Sequence, residues 1–251
     1  CGNCVACRNG KYVECKELKL IGFDSAANGA YAEYVRVQSQ LTAKVPENVS
    51  MDDAAAVEPL AVGLNAFRDA QVSIGDDVLI IGAGPIGLAC AKWAQFFGVT
   101  NVGISEMVPA KIALAKKAGA NVVIYANEHK DPVAAFQQMT GSNPAIIFEC
   151  IGRPIVQHLF EIAPAGTHIV LLGAGMEPEQ IVVATGAMKQ LKLTLSLGYE
   201  IADFHYIFGM LASGRMGTDP LISGRIPLDE VPAMFAALQK PNEHCKVLIQ
   251  P

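Results

Sequence analysis

The sequence has few charges, no block of basic residues, no apolar run long enough to cross a bilayer, and no methionine at its start. Charged residues make up only 17% and hydrophobic residues 51% of its 251 positions, with a formal net charge of −5. That balance excludes a disordered chain and leaves room for one large or two ordinary globular domains. Without a basic patch, nucleic acid and anionic membrane are poor partners. Mean hydropathy is +0.31. The longest apolar run, Val78 to Ala91, is nevertheless shorter than a bilayer span and carries glycines in its middle. No secretory signal or lipidation motif is legible, so a cytoplasmic protein is expected. The chain begins at Cys1, within a cysteine motif, and is expected to be a fragment or a processed form of a longer protein.

What is present centres on Val78-Leu-Ile-Ile-Gly82-Ala-Gly84-Pro-Ile-Gly87. Aliphatic residues predict a buried strand, a glycine turn follows, and the apolar spacing then becomes helical at Ile86, Ala89, Cys90 and Trp93. In such a turn Gly82 permits the tight bend, Gly84 lets backbone approach a pyrophosphate, and Gly87 lets helix pack on strand, with Pro85 and Ile86 opening the helix. Glu106 closes the next strand, where a carboxylate accepts hydrogen bonds from the adenosine ribose and repels a 2′-phosphate. The pattern therefore predicts NAD rather than NADP. Lys111, in the following helix, is placed to reach the same ribose, or else is an ordinary solvated lysine beside Lys116 and Lys117.

Short aliphatic strands and helices then alternate: Val122 to Tyr125, a helix near Asp131 to Met139, Ala145 to Cys150, a helix near Val156 to Ile162, Thr167 to Leu172, and Leu191 to Leu197. This rhythm predicts an α/β fold with a doubly wound parallel sheet. Cys150, Gly152, Gly173, Gly175 and Gly198 fall at the carboxyl ends of these strands, where such sheets bind ligands. Of these, Cys150, Gly173 and Gly198 join the predicted cofactor contacts. His129, His158 and His168 show no mutual spacing and read as structural or surface residues.

Cys1, Cys4, Cys7 and Cys15 follow the pattern C-x2-C-x2-C-x7-C. Four thiolates on a short loop suit a closed, structural zinc site, and Arg8, Lys11, Lys16 and Lys19 are placed to offset its charge. A pair of disulfides or an iron–sulfur cluster would use the same residues. The other cysteines, Cys90, Cys150 and Cys245, look isolated.

Between lobe and nucleotide turn, Gly29 to Val37 alternates like a strand, and Leu41 to Pro46 reads as another. Ser50 and Asp53 take the two places of a capping box, and a second helix begins at Glu58-Pro59. Glu58 stands among apolar neighbours, as a metal ligand or proton handler would, or simply as a negative charge at a helix N-terminus. Beyond residue 200, a helix at Asp203 to Ser213, short strands at Pro220 to Ile222 and Gly224 to Pro227, a helix at Asp229 to Leu238 and a strand at Lys246 to Ile249 are expected to rejoin the amino-terminal β region.

These segments together resemble the medium-chain, zinc-dependent alcohol and polyol dehydrogenases, in the branch of sorbitol, threonine and butanediol dehydrogenases. The resemblance runs from Cys1 to the end, through the cysteine lobe, Gly29-Ala-Tyr-Ala-Glu-Tyr-Val35, Val57-Glu-Pro-Leu-Ala-Val-Gly63, the glycine turn, Phe148-Glu-Cys-Ile-Gly152 and Arg225-Ile-Pro-Leu-Asp-Glu230. It implies a Rossmann domain at 60–199, set between parts of a GroES-like β domain at 1–59 and 200–251, with the structural zinc lobe at 1–20. It implies reversible hydride transfer between NAD and a secondary alcohol or polyol, giving the ketone, on a catalytic zinc, with Glu58 binding that metal or its water. A homodimer or homotetramer is the family's habit. The family's first catalytic zinc ligands lie upstream of the lobe and are absent here, so the alternatives are an NAD- and zinc-binding fragment without turnover and a zinc-free reductase of the same superfamily.

Overall fold

The computed structural model describes residues 1–24 and 28–251. Residues 25–27, inside the segment expected to be irregular and mostly β, lie outside the described residues. A short helix, α1 (Val5–Arg8), carries Cys7, and α2 (Met51–Ala55) leads into α3 (Val57–Ala70). The alternating core follows: β1 (Asp77–Ile81), α4 (Pro85–Phe96), β2 (Asn101–Glu106), α5 (Pro109–Lys117), β3 (Val122–Tyr125), α6 (Pro132–Thr140), β4 (Ile146–Glu149), α7 (Val156–Ile162), β5 (His168–Leu171), α8 (Val183–Met188) and β6 (Lys192–Leu195). Then come α9 (Ile201–Ala212), β7 (Ile222–Pro227), α10 (Val231–Leu238) and β8 (Lys246–Gln250).

β1 to β6 form one six-stranded parallel sheet in the order β3-β2-β1-β4-β5-β6, a Rossmann arrangement. The order reverses between β1 and β4, and that reversal opens a crevice at their carboxyl ends. Helices cover both faces, which is why the central strands are continuous aliphatic runs: Val78, Leu79 and Ile80 are fully buried. One apolar layer gathers α3, α4 and α9, the other α6 and α7. Gly63 lets α3 approach α4 closely, since a Cβ there would lie 3.0 Å from Trp93 and 3.3 Å from Ala89. The Trp93 indole N–H donates to the Leu60 carbonyl at 2.7 Å, so this buried ring leaves no polar group unpaired.

α9 is fastened to α3 by Asp203. Its carboxylate accepts both Arg68 guanidinium nitrogens, at 2.5 and 2.8 Å, and the Glu200 amide at 2.9 Å. A buried acid is tolerated there because both carboxylate oxygens have donors and the facing guanidinium offsets the charge.

Four expectations outside the central sheet differ from the structure. Gly29 to Val37 and Leu41 to Pro46 form no strand; the latter opens in a single 3-10 turn, Ser39–Leu41. The alternation is real, but a strand needs a neighbour for its amides and carbonyls, and no described strand runs beside it. Tyr34 is consequently 90% exposed. The two short strands expected at 220–227 are one strand, β7, with a register shift between Ile222 and Gly224, and it pairs in parallel with β8. At α2 the Ser50 hydroxyl accepts the Asp53 amide at 3.0 Å as a cap should. Asp53 does not reach back, however: its carboxylate accepts the hydroxyls of Ser50 and Thr218. That contact, with the Arg225–Asp52 ion pair, is how the carboxyl-terminal tail returns to residues 50–53.

Candidate functional site

The glycine turn follows β1 at the crevice. Gly82 has φ +101°, and a Cβ there would lie 2.6 Å from Ile151 on the neighbouring β4 loop. Gly84 is the N-cap of α4 and faces open space, with nothing within 4 Å of an added Cβ. A Cβ on Gly87 would stand 2.0 Å from the Gly82 carbonyl oxygen, so only glycine lets α4 sit this close to β1. Pro85 occupies the first turn, where its missing N–H costs nothing.

Glu106 ends β2 and holds this turn. One carboxylate oxygen accepts the Ala83 amide at 2.8 Å; the other accepts the amides of Met107 at 2.7 Å and Val108 at 2.8 Å. Each carboxylate oxygen has two acceptor sites, so capacity for ribose hydroxyls is left on the Ala83 side. Beside it lies a cavity of about 190 Å³ lined by Gly82, Glu106, His129, Lys130, Ile151 and His158, among others. His129 and His158, scattered in sequence, thus converge here. The His158 Nε2 lies 3.3 Å from the Lys130 carbonyl, an acceptor only, so that nitrogen carries the proton. No local spacing marks this pair, because only the adjacency of β3, β2, β1 and β4 brings the β3–α6 loop and α7 to one crevice. His168 stays apart, with its Nε2 2.8 Å from the Thr194 hydroxyl on β6. Lys111 does not line the cavity; its charge bears on Cys245 instead.

A second cavity, of about 310 Å³, lies at the ends of β4, β5 and β6, against Glu149, Gly152, Arg153, Gly173 and Leu197. Glu149, only 3% exposed, accepts the amides of Ile151 at 2.6 Å and Gly152 at 2.8 Å and so shapes the turn after β4. A Cβ on Gly173 would lie 2.1 Å from the Gly152 amide nitrogen. Gly198, with φ +72°, packs under Val13 of the cysteine lobe. Cys150 is not isolated. Its thiol faces Cys90 of α4, and that contact, together with burial, pushes it well above the ordinary thiol range.

In the lobe, the sulfurs of Cys1, Cys4, Cys7 and Cys15 all lie within 4.8 Å of one another. Tetrahedral zinc with four sulfurs at 2.3 Å requires about 3.8 Å between sulfurs, and the Cys1–Cys15 pair stands at 3.5 Å. A disulfide requires about 2.05 Å, and all four thiols are free. Amides point at the sulfurs, from Cys7 to Cys4 at 3.5 Å and from Glu17 to Cys15 at 3.4 Å. The Cys7 amide is the chief reason the Cys4 thiol is drawn down to about 7, while burial pushes the Cys7 thiol up. The donor set fits one tetrahedral thiophilic ion.

Glu58 stands in the first turn of α3, open to solvent between the buried Val57 and Pro59. Surrounding protein still desolvates its carboxyl and raises its pKa, with the Lys246 ammonium on β8 acting the other way. Tyr199 shares this corner, its phenol pushed up to about 12 by burial and by the Glu58 charge. Tyr199 and Lys246 carry no sequence signal of their own. Among the described residues, the cysteine lobe is the one place where three or more metal-ligating side chains converge.

The family model described as zinc-binding dehydrogenase matches residues 85–213, and that for the alcohol dehydrogenase GroES-like domain matches residues 1–47. The chain belongs to the zinc-binding, medium-chain polyol dehydrogenase family. A 2-dehydro-3-deoxy-L-galactonate 5-dehydrogenase of Pseudoalteromonas atlantica is 30% identical over 253 residues, covering 100% of this chain and 72% of its own length. An L-idonate 5-dehydrogenase of Vitis vinifera is 29% identical over 92% of this chain, which spans only 64% of that relative. Among solved structures, a short chain alcohol dehydrogenase from E. coli complexed with NADH superposes with TM-score 0.88 at 26% identity, covering all of this chain and 74% of that one. A Sinorhizobium meliloti dehydrogenase bound to NADP gives 0.86 at 27%, with the same coverage. No described helix of this family member is long and apolar enough to cross a membrane.

Proposed function

We propose that this chain is the nucleotide-binding and structural-zinc portion of an oxidoreductase that transfers a hydride between NAD and a secondary alcohol or polyol. The observation that carries the reading is the Glu106 carboxylate, fixed by three amides beside the Gly82 turn and lining the crevice where the strand order reverses. Gly82 and Gly84 give the pyrophosphate its backbone approach, Gly87 lets α4 sit close against β1, and Pro85 and Ile86 open the helix whose amides face it. Glu106 takes the ribose. Cys150 and Gly173, at the ends of β4 and β5, border the path toward the second cavity, where the reacting end of the cofactor and the alcohol would meet. Gly198, under Val13, couples that end to the lobe, and Lys111 lies outside the lining of the adenosine cavity.

Cys1, Cys4, Cys7 and Cys15 would hold a closed structural zinc. Glu58 would hold the catalytic zinc or its water, and that ion supplies Lewis acidity that lowers the pKa of the substrate hydroxyl. An open catalytic site takes three protein ligands, and Glu58 is a single carboxylate, so the remaining ligands come from outside the described residues. The raised Glu58 carboxyl, beside Tyr199 and Lys246, also suits a group that accepts and returns a proton. Exposed Leu193, Leu195 and Leu197 along the unpaired edge at β6 support a homodimer or homotetramer.

The test is an assay of the 251-residue chain with NAD against secondary alcohols and polyols, alone and completed with a segment supplying the missing ligands. Binding of NAD without turnover by the chain alone, and zinc-dependent turnover after completion that Glu58→Ala weakens, is expected. Zinc-dependent turnover by the chain alone would overturn the ligand assignment, and no turnover after completion would overturn the dehydrogenase reading.

A further inference from the structure

We propose that the cleft beside Gly82 already contains the cationic partners of a 2′-phosphate, namely Lys130 with His129 and His158, and that Glu106 is what turns NADP away. This rests on the adenosine-cleft reading above and names the residues that set its specificity.

The cavity wall holds one acid, Glu106, and three groups able to carry positive charge. Adenine and an unmodified ribose are neutral, so NAD offers no charge at the ribose hydroxyls beside Glu106, its negative charge lying on the pyrophosphate at the glycine turn. A phosphate ester on the ribose beside Glu106 would supply about two negative charges. The groups are not on a loose loop. The Ala126 amide donates to the Glu106 carbonyl at 2.9 Å, the Asn127 side chain to the Met107 carbonyl at 3.1 Å, and the His129 amide to the Tyr125 carbonyl at 3.1 Å. His158 reaches across from α7 to the Lys130 carbonyl at 3.3 Å. The β3–α6 loop is therefore stitched to the end of β2 that carries the acid, and the Lys130 side chain, exposed and long, swings from a fixed base. Charge-assisted contacts to phosphate are among the strongest available to a protein surface, whereas a carboxylate facing the same phosphate repels it. Discrimination is then a difference between attraction already built and one repulsive group. Removing the repulsion should suffice, with no arginine added.

The test compares the affinities of ADP and 2′,5′-ADP, and of NAD and NADP, by calorimetry. It uses the unmodified chain, Glu106→Gln, and Glu106→Gln combined with Lys130→Met, His129→Asn or His158→Asn. Glu106→Gln should raise the 2′,5′-ADP to ADP affinity ratio by about tenfold or more, and Lys130→Met should take back much of that gain. The histidine changes should each take back a smaller part. If none of the three cation changes lowers the ratio, the gain is only lost repulsion and the proposal is wrong. If Glu106→Gln fails to fold, Lys130→Met in the native background decides. It must lower the residual 2′,5′-ADP to ADP ratio, and an unchanged ratio overturns the proposal. If the unmodified chain binds neither ADP nor NAD, the adenosine-cleft reading fails first and takes this one with it.

Discussion

The Glu106 carboxylate accepts a hydrogen bond from the Ala83 amide at 2.8 Å, tying the end of β2 to the middle of the glycine turn. One side chain thus organises the loop and faces the cleft. Glu106→Ala would leave the amides of Ala83, Met107 and Val108 without their acceptor. The amides of Ala83 and Val108 are partly buried and cost about 1–3 kcal/mol each when so orphaned, whereas the exposed Met107 amide turns to water. NAD affinity should drop by at least about tenfold, with a lower melting temperature and a glycine turn that exchanges its amide hydrogens faster. Wild-type NAD affinity in Glu106→Ala would mean that the carboxylate serves the fold alone.

The cysteine lobe should hold one zinc with four sulfur neighbours, measurable by metal analysis and X-ray absorption on reduced protein. Replacing the buried Cys7 with serine should release the metal and free Val13 from Gly198, leaving the six-stranded sheet folded, because the metal's binding energy is local folding energy. Reduced protein without zinc would exclude the site.

His168 gives a pH signature. Burial holds its pKa below the ordinary 6.5, and it opens β5 opposite Lys192 of the edge strand β6. Because the folded state binds this proton less readily than the unfolded chain, its contribution is complete above 6.5 and declines as pH falls through the lower folded value. His168→Gln should flatten that part of the stability profile, measured by urea unfolding between about pH 7 and pH 5. Identical slopes for both proteins would show that the ring titrates alike folded and unfolded.

The central strands of the sheet could be read from the chain because parallel strands buried on both faces announce themselves as aliphatic runs, as in Val78 to Ile81, whereas the exposed edge strand β6 was legible only through the rhythm of the alternation. The glycine turn could be read too, because Gly82 and Gly87 are demanded by a positive φ and a 2.0 Å approach, constraints few other residues satisfy. The strands expected at Gly29 to Val37 failed for the opposite reason. Alternation reports that one face wants cover, but pairing depends on a neighbour far away in sequence or outside it. The same non-locality hid His129, Lys130 and His158, which share a cavity only through strand order, and hid Tyr199 and Lys246 beside Glu58. Cys90 and Cys150, apart in sequence, touch because α4 packs on the end of β4.

The most direct test of the account is a calorimetric titration of the 251-residue chain with NADH, repeated in the presence of ADP-ribose. The account predicts one NADH per chain, displaced competitively by ADP-ribose, since the Gly82 turn and Glu106 address the adenosine diphosphate half of the cofactor. A chain with an intact fold that binds neither NADH nor ADP-ribose at millimolar concentration would contradict it.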